Sequence, residues 1–299
     1  MPKLIVIAGP TASGKTSLAV DLAKHLSCPI LSADSRQFYK EMSIGTAKPT
    51  AEEMQGVPHY FIDSHSIDYP LSSGVFEQEA LEKLESIYRS NEYAILVGGS
   101  GMFIDALVFG IDQLPQDPNI REELNEVYRS EGLDPLLNEL KDKDPSYYEN
   151  VDRNNPVRII RALEVIRITG KAYSDQRSST SKDRPFETLY FVIDHDRQKL
   201  YDRINLRVDM MIEDGLIEEV KSLTSHRNKQ PLNTVGYKEV FDHLDGEQDL
   251  DRTIELIKRN TRRYAKRQLT WFRRNKDSIW IPFSNNKDMI KRILQHLNS

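Results

Sequence analysis

The stretch Gly-Pro-Thr-Ala-Ser-Gly-Lys-Thr at residues 9–16 constrains the fold more than any other feature of this sequence. It matches the phosphate-binding pattern G-x-x-x-x-G-K-[ST]. A strand-like apolar stretch precedes it at residues 3–8, and a helix-like amphipathic stretch follows it to Leu26. In such a loop the backbone N–H groups wrap an anion, Lys15 adds a positive charge and Thr16 offers a hydroxyl to Mg²⁺. A glycine-rich turn with a surface lysine is the alternative, but the flanking patterns favour an α/β protein with a phosphorylated ligand.

Strand and helix patterns alternate along most of the chain. Further strands are predicted at residues 29–33, 60–63, 93–97, 188–193 and 279–283, and helices at residues 75–88, 199–223 and 250–272. This alternation predicts an α/β fold, a P-loop-type parallel sheet flanked by helices. From residue 117 to about residue 184 the chain is polar and mostly helical in period, and Asn155-Pro156 is typical of a helix start. We therefore expect a core of residues 1–113 and 186–299 with a helical insertion subdomain at residues 114–185.

The composition limits where such a protein works. Hydrophobic residues make up 38% and charged residues 29% of the 299 residues, which suits a folded chain with a core. No apolar run approaches the roughly 18 residues that a membrane-spanning helix needs. The single cysteine, Cys28, cannot form an internal disulfide, and the seven histidines show no metal-ligand spacing. A cytoplasmic monomer without membrane association is expected.

Positive charge is concentrated near the carboxyl terminus of a chain whose net charge is −5. Residues 252–276 contain ten lysines and arginines and one acidic residue, Glu255. Their helical spacing places Arg262, Arg263 and Arg267 opposite an apolar stripe, which suits contacts with a nucleic-acid backbone. A solvated face balanced by acidic neighbours, or a membrane surface, would also explain the pattern. Tyr264 and Trp271 are interpreted as core residues rather than as base-stacking platforms.

The acid that usually accompanies a phosphate-binding loop is missing from its usual place. Loops that bind ATP or GTP are paired with an Asp at the end of a hydrophobic strand, where it holds Mg²⁺. The strand at residues 93–97 ends instead in Gly-Gly-Ser-Gly, and the acid, Asp34, follows the second strand. Because ligands bind beyond the carboxyl ends of parallel strands, Asp34 and Ser100 are expected to flank the ligand. A helix cap at Asp34 and a plain turn at residues 98–101 remain the alternatives.

Together these motifs closely resemble the tRNA dimethylallyltransferase (tRNA isopentenyltransferase) family, in its bacterial form without a zinc finger. The resemblance rests on residues 9–16, Asp-Ser-Arg-Gln-Phe-Tyr-Lys at 34–40, Gly-Thr-Ala-Lys-Pro at 45–49, Gly-Gly-Ser-Gly at 98–101, Leu114-Pro115 with Asp117-Pro118 and Arg121, Asn155-Pro156 through Arg158 and Arg161 to Glu164, Val-Gly-Tyr-Lys at 235–238 and Ala-Lys-Arg-Gln-Leu-Thr-Trp at 265–271. The phosphate-binding loop alone is unspecific. Its combination with Asp-Ser-Arg-Gln at this distance and with the Ala-Lys-Arg-Gln helix is highly specific.

The resemblance implies a reaction in which a dimethylallyl group moves from dimethylallyl diphosphate to N6 of the adenosine next to the tRNA anticodon. The loop would then bind a leaving diphosphate, which explains the missing strand-end acid. Asp34 would act as the base, and Thr16 would contribute to a Mg²⁺ site. The expected diphosphate ligands are Gly9, Pro10, Thr11, Ala12, Ser13, Gly14, Lys15 and Thr16. Either Arg203 or Arg207 is expected to assist the leaving group, with a solvated face as the alternative.

The same resemblance implies a set of contacts with tRNA at Asp34, Ser35, Arg36, Gln37, Ser100 and Arg121. Arg158 and Arg161 lie on one helical face and are expected to join them, unless they pair with neighbours such as Glu164. Arg262, Arg263 and Arg267 of the basic helix complete the expected interface.

Two other functions stay open on the residues alone. A P-loop kinase or nucleotidyl enzyme explains residues 9–16 equally well, but neither the basic helix nor the missing strand-end acid. A non-catalytic RNA-binding switch with a nucleotide ligand explains the basic helix but gives Asp34 no task.

Overall fold

The computed structural model describes residues 1–177 and 181–297. It divides into two compact units, one formed by Met1–Phe109 with Asp183–Ser299 and the other by Gly110–Lys182. The second unit overlaps the insertion expected at residues 114–185.

A single parallel sheet forms the centre of the first unit. Within the described residues its six strands are β1 (Lys3–Ala8), β2 (Ile30–Ser32), β3 (His59–Tyr60), β4 (Tyr93–Gly98), β5 (Glu187–Asp194) and β6 (Ile279–Pro282). They are ordered β3-β2-β4-β1-β5-β6, and every pair is parallel. This arrangement, with helices around the sheet, confirms the predicted P-loop-type α/β fold.

The helices, in chain order, are α1 (Lys15–Leu26), α2 (Ala51–Met54), α3 (Ser73–Ile87), α4 (Gly101–Phe109), α5 (Pro118–Glu131), α6 (Asp134–Lys143), α7 (Pro145–Asn150), α8 (Pro156–Thr169), α9 (Arg197–Glu213), α10 (Leu216–Ser222), α11 (Tyr237–Leu244), α12 (Leu250–Phe272) and α13 (Asn286–Leu297). None of those in the described part of the chain is both long and apolar enough to cross a membrane.

Strand β1 is apolar on both faces because both faces of the sheet are covered. Its Leu4 and Val6 belong to one hydrophobic cluster, and its Ile5 and Ile7 belong to another on the opposite face. Successive side chains of a strand point to opposite faces, so the run Leu-Ile-Val-Ile supplies both cores at once. The loop that follows β1 is therefore anchored by a strand that is buried on both faces of the sheet.

The structure corrects two predicted elements. Residues 199–223 do not form one helix, because Gly215 adopts a φ of 98° and separates α9 from α10. A left-handed glycine of this kind ends a helix. The strand predicted at residues 60–63 ends at Tyr60, since Phe61 and Asp63 have φ values of 63° and 51°, which are incompatible with extended backbone.

The second unit is a small helical bundle. Its helices α5, α6 and α8 pack around Leu124, Leu140, Ile159 and Leu163. Asn155 accepts a hydrogen bond from the N–H of Arg158 at the start of α8, and proline occupies the first turn. The helix start predicted at Asn155-Pro156 is confirmed.

Candidate functional site

Three loops meet at the carboxyl edge of the sheet. Strand β1 leads into the phosphate-binding loop (residues 9–16), β2 leads to Asp34, and β4 leads to the Gly-Gly-Ser-Gly turn (residues 98–101). The N–H of Ala33 donates to the Val97 carbonyl at 2.7 Å, and the N–H of Ser35 donates to Ser100 Oγ at 2.9 Å. The turn after β4 is thus bonded to the Asp34 segment, so it is more than a plain connection.

The phosphate-binding loop is held from outside through its carbonyl groups. Arg203 Nε donates to the Ala12 carbonyl at 2.7 Å, and His195 Nε2 lies 2.8 Å from the Ser13 carbonyl. Burial lowers the pKa of His195, so its neutral ring donates this hydrogen bond through Nε2–H. Ala12 and Gly14 have φ values of 62° and 84°, the left-handed backbone conformation found in anion-binding turns.

Helix α1 begins at Lys15 without a side-chain cap: Gly14 occupies the cap position, and no capping hydrogen bond is formed among the described residues. The first N–H groups of a helix need an acceptor, and an anion is the ligand that satisfies both these groups and the helix dipole. Nearby, the Ser13 hydroxyl is buried and finds no hydrogen-bond partner within the described chain. The loop and the helix start therefore offer unpaired donors that an anion could satisfy.

Positive charge is in excess around this site. Burial lowers the pKa of Lys15 to about 8, with Asp34 opposing the shift and Arg207 adding to it. Burial and the neighbouring Arg203 lower the pKa of Arg207, against the opposing charges of Glu53 and Asp34. Lys15, Arg203 and Arg207 thus lie close enough to repel one another despite the carboxylates of Asp34 and Glu53, and a bound polyanion would relieve this repulsion.

The two arginines of α9 differ in what they contact. Arg203 is engaged by the Ala12 carbonyl and lies over the ring of Phe283. Arg207 is half-buried and makes no hydrogen bond or ion pair among residues 1–177 and 181–297. The geometry therefore separates a loop-holding arginine from one that is available to a ligand.

Asp34 precedes a turn, and its carboxylate Oδ1 accepts from the N–H of Arg36 at 3.1 Å. The helix-cap alternative is wrong because residues 35–38 form no helix. Tyr264 of α12 lies near Ser100 and Asp34, and burial, followed by the charge of Asp34, raises the pKa of the Tyr264 phenol to about 12. Tyr264, interpreted from sequence as a core residue, therefore lies at the site and stays protonated there.

Gln37 and the following loop are fixed by a carboxylate that sequence reasoning missed. Gln37 Nε2 donates to the carbonyls of Thr46 and Ala47 at 3.2 and 3.1 Å. The N–H groups just before them, at residues 43–45, donate to the carboxylate of Glu219, which also accepts from the Tyr237 hydroxyl. No local pattern could have identified Glu219, since its backbone partners are 174 to 176 residues away.

Helix α12 has the bounds predicted for the basic helix, residues 250–272. Arg263 and Arg267 are exposed, whereas Arg262 NH1 donates to Asn205 Oδ1 of α9 at 2.6 Å. Lys258 pairs with Asp209 of the same helix α9. The basic face is therefore divided, because Arg262 and Lys258 attach α12 to α9 while Arg263 and Arg267 face solvent.

In the second unit, Arg121 and Arg161 converge on Glu164, whose side chain is 0% exposed. Burial raises the pKa of Glu164, but the hydrogen bonds from Arg121, Arg161 and the Asp117 N–H outweigh it and hold the pKa below its ordinary value. Pairing with Glu164, the alternative for Arg161, is thus realised, and Arg158 remains exposed.

A cavity of about 280 Å³ in the second unit is lined by the same Arg121 and Arg161 together with the exposed side chains of Tyr128 and Val157. The two arginines therefore keep one side towards an open surface of this unit.

A magnesium ion at this site would rely on few protein ligands. No group of three or more His, Cys, Asp or Glu side chains suited to a metal occurs among the described residues. The Thr16 hydroxyl at the start of α1 is a hard oxygen donor of the kind that Mg²⁺ accepts. Because Mg²⁺ is commonly held by one or two protein groups, substrate phosphates and water, this donor set fits an ion shared with a diphosphate.

Comparisons with known proteins identify the family. The profile described as IPP transferase matches residues 37–275. The chain is 47% identical to the tRNA dimethylallyltransferase of Cytophaga hutchinsonii over 93% of this chain and 91% of the relative. It is 46% identical to tRNA dimethylallyltransferase 1 of Bacteroides thetaiotaomicron over 99% and 97% of the two chains.

Comparison with solved structures points to the same family as comparison with sequences. The tRNA isopentenylpyrophosphate transferase of Bacillus halodurans is 39% identical, with a TM-score of 0.73, and the match covers 100% of this chain and 96% of that one. A eukaryotic dimethylallyltransferase, solved while acting on tRNA, is 26% identical with a TM-score of 0.81 over 99% of this chain and 78% of that one. The chain therefore belongs to the tRNA dimethylallyltransferase family.

Proposed function

We propose that this enzyme transfers a dimethylallyl group from dimethylallyl diphosphate to N6 of the adenosine adjacent to the tRNA anticodon and releases diphosphate. The observation that carries the proposal is the uncapped start of α1, surrounded by Lys15, Arg203 and Arg207, beside the carboxylate of Asp34. This arrangement suits a departing polyanion on one side and a proton acceptor on the other. The relatives named tRNA dimethylallyltransferase support the choice of substrates.

The phosphate-binding loop and its cations would stabilise the leaving group. As the allylic C–O bond breaks, its electron pair goes to the diphosphate oxygen, and negative charge builds up next to the loop N–H groups and Lys15. Arg207 is the arginine that meets this charge, because Arg203 is already engaged by the Ala12 carbonyl. A Mg²⁺ ion bound through Thr16 would supply further positive charge on the diphosphate.

Asp34 would receive the proton. The exocyclic amine of adenine is a weak nucleophile because its lone pair is delocalised into the ring. As the C–N bond forms, N6 becomes acidic, and a carboxylate within hydrogen-bond reach can take its proton. Asp34 stands at the end of β2 next to Ser35 and Ser100, which are bonded to each other.

The tRNA contacts proposed for this chain fall into two sets. Ser35, Arg36, Gln37 and Ser100 surround Asp34 and would bind the target base, which must leave its stack to reach them. The cationic groups of the second set would contact the RNA backbone, and they are Arg121, Arg158, Arg161, Arg262, Arg263 and Arg267. Of these, Arg263, Arg267 and Arg158 are the exposed ones.

The proposed function is tested by the mass of an anticodon-arm RNA after incubation with the protein, dimethylallyl diphosphate and Mg²⁺. We expect a gain of one isopentenyl unit on the adenosine next to the anticodon. An unmodified RNA together with hydrolysis of ATP would instead support the P-loop kinase alternative. An unmodified RNA that binds tightly would support the non-catalytic switch.

Replacement of Arg207 by Gln is expected to lower kcat about 100-fold, since removal of one preorganised charge donor at a developing anion costs a factor of this order. Arg203→Gln should act mainly on the KM for dimethylallyl diphosphate, because it loosens the loop that binds the ground state. Steady-state kinetics at saturating RNA measures both. The roles given to the two arginines are wrong if Arg203→Gln lowers kcat while Arg207→Gln changes mainly the KM.

The double variant Arg263→Gln with Arg267→Gln loses two positive charges, so it should bind RNA more weakly and with a smaller dependence on salt. Each lost phosphate contact lowers the slope of log K against log[salt] by about 0.7 to 0.9. Filter binding of an anticodon-arm RNA across a salt series measures the slope. Arg252→Gln is the matched control, since Arg252 on the same helix pairs with Glu255; an unchanged slope in the double variant would refute the basic-face contact.

A further inference from the structure

Gln268 of α12 joins two sides of the site through one side-chain amide. Its side chain reaches between the phosphate-binding loop and the turn after β4, and the residue is only 6% exposed. Gln268 Oε1 accepts from the N–H of Thr11 at 2.9 Å, and Gln268 Nε2 donates to the carbonyl of Gly99 at 2.8 Å. The two loops are far apart in the sequence but are bonded to the same planar group.

Only a primary amide of this length satisfies both partners. The Thr11 N–H requires an acceptor and the Gly99 carbonyl requires a donor, and Gln offers one of each in a fixed plane. Glu would lack the donor, Lys would lack the acceptor, and Asn is one methylene shorter. The two partners also fix which end of the amide is oxygen and which is nitrogen.

The glycine at position 99 is explained by the same contact. A Cβ atom at residue 99 would lie 2.3 Å from Gln268 Nε2, closer than real Cβ atoms approach a neighbour. Gly99 therefore leaves the space that the amide occupies, and the two residues constrain each other across 169 positions of the chain.

Helix α12 holds the other side of the site as well. Tyr264 lies four residues before Gln268 and hence on the same helical face, and it lies near Ser100 and Asp34. One helix thus contacts the loop that binds the anion and the turn that adjoins the carboxylate. The exposed Arg263 and Arg267 directly precede Tyr264 and Gln268 on this helix and lie about 100° round it from them.

We propose that Gln268 is a positioning residue that fixes the phosphate-binding loop relative to the Asp34 and Ser100 side of the site. The inference rests on the proposed function, in which the breaking C–O bond and the amine's proton lie on these two sides. A misplacement of about 1 Å between groups that act on one transition state can cost about 100-fold in rate. Gln268 acts through the loop and touches neither substrate, so its loss should affect kcat and the KM for the diphosphate but not RNA affinity.

Gln268→Met is the first test, because methionine keeps the volume of the side chain and removes both hydrogen bonds. We expect kcat for RNA modification to fall about 100-fold and the KM for dimethylallyl diphosphate to rise, with the Kd for RNA within about twofold of wild type. Thr270→Val is the matched control, since the Thr270 hydroxyl bonds only the Lys266 carbonyl of its own helix and is exposed. The Thr270→Val variant should have the kcat and the KM for dimethylallyl diphosphate of the wild type.

Gly99→Ala is the second test, because the added methyl group displaces the amide without changing Gln268. The double variant Gly99→Ala with Gln268→Met should be no slower than the slower single variant, since both changes break the same contact. The proposal would be overturned if the rate loss of the double variant equalled the product of the two single losses. A folded Gln268→Met protein with wild-type kcat and KM would also overturn it. Equal losses of RNA binding, diphosphate binding and melting temperature would indicate a merely structural role.

The wild-type reaction separates this inference from the proposed function. If wild-type protein transfers no isopentenyl unit to the RNA, the proposed function fails whatever Gln268 does. If wild-type protein is active and Gln268→Met is equally active, only the role of Gln268 fails.

Discussion

Asp34→Asn is expected to reduce transfer of the dimethylallyl group to RNA by about 1,000-fold, within the range that a positioned general base contributes. The amide keeps the shape of the carboxylate, so it retains the turn that Asp34 makes with the N–H of Arg36. It cannot accept the proton that N6 loses as the C–N bond forms. Single-turnover kinetics measures the chemical step, and RNA binding measured separately should stay within about threefold of wild type.

Asp202→Asn is the control for this experiment. Asp202 is an exposed carboxylate on α9 that accepts a hydrogen bond from Gln198, so its loss should leave the rate unchanged. An Asp34→Asn protein that turns over at the wild-type rate would remove Asp34 from the mechanism. A variant that has lost RNA binding to the same extent as rate would make Asp34 a binding residue instead.

Lys15→Met should raise the Kd for dimethylallyl diphosphate about 100-fold, because a buried charge-assisted contact with a polyanion is worth roughly 1.5 to 3 kcal/mol. The lysine also predicts a pH dependence. Burial lowers its pKa to about 8 in the free protein, so Lys15 is cationic below that pH and loses its charge as the pH rises through it. Diphosphate affinity should therefore fall as the pH rises above about 8 in wild type.

The same pH series with Lys15→Met provides the comparison, since the variant has no group to deprotonate at this position. Its affinity should be low and nearly constant between neutral and alkaline pH. Calorimetric titration of the diphosphate at each pH makes the measurement. Wild-type affinity that stays constant through pH 8, or a variant that keeps the wild-type decline, would contradict the assignment of the titrating group to Lys15.

The parts of the site that the sequence revealed are those with local patterns. Strand β1, the loop at residues 9–16 and helix α1 are contiguous, and their apolar period and glycine spacing are visible in one short window. The absence of an acid after β4 was equally visible, because β4 ends at Gly98. Asp34 could be placed near the loop because parallel strands end at the same edge of a sheet.

The contacts that the sequence concealed are those between distant segments. Gln268 bonds Thr11 across 257 positions, and Glu219 bonds the N–H groups at residues 43–45 across about 175. A charge pattern could not show that Arg262 donates a hydrogen bond to Asn205 while Arg263 and Arg267 of the same helix are exposed. Such differences depend on which helix packs opposite, here α9, and period alone does not specify the partner.

A crystal structure with an unreactive analogue of dimethylallyl diphosphate and an anticodon-arm RNA tests the central claim most directly. The account predicts that the diphosphate accepts hydrogen bonds from the N–H groups at the start of α1 and from Lys15, with the Asp34 carboxylate within hydrogen-bond reach of adenine N6. A diphosphate bound away from residues 9–16, or a target adenine whose N6 faces a group other than Asp34, would contradict it.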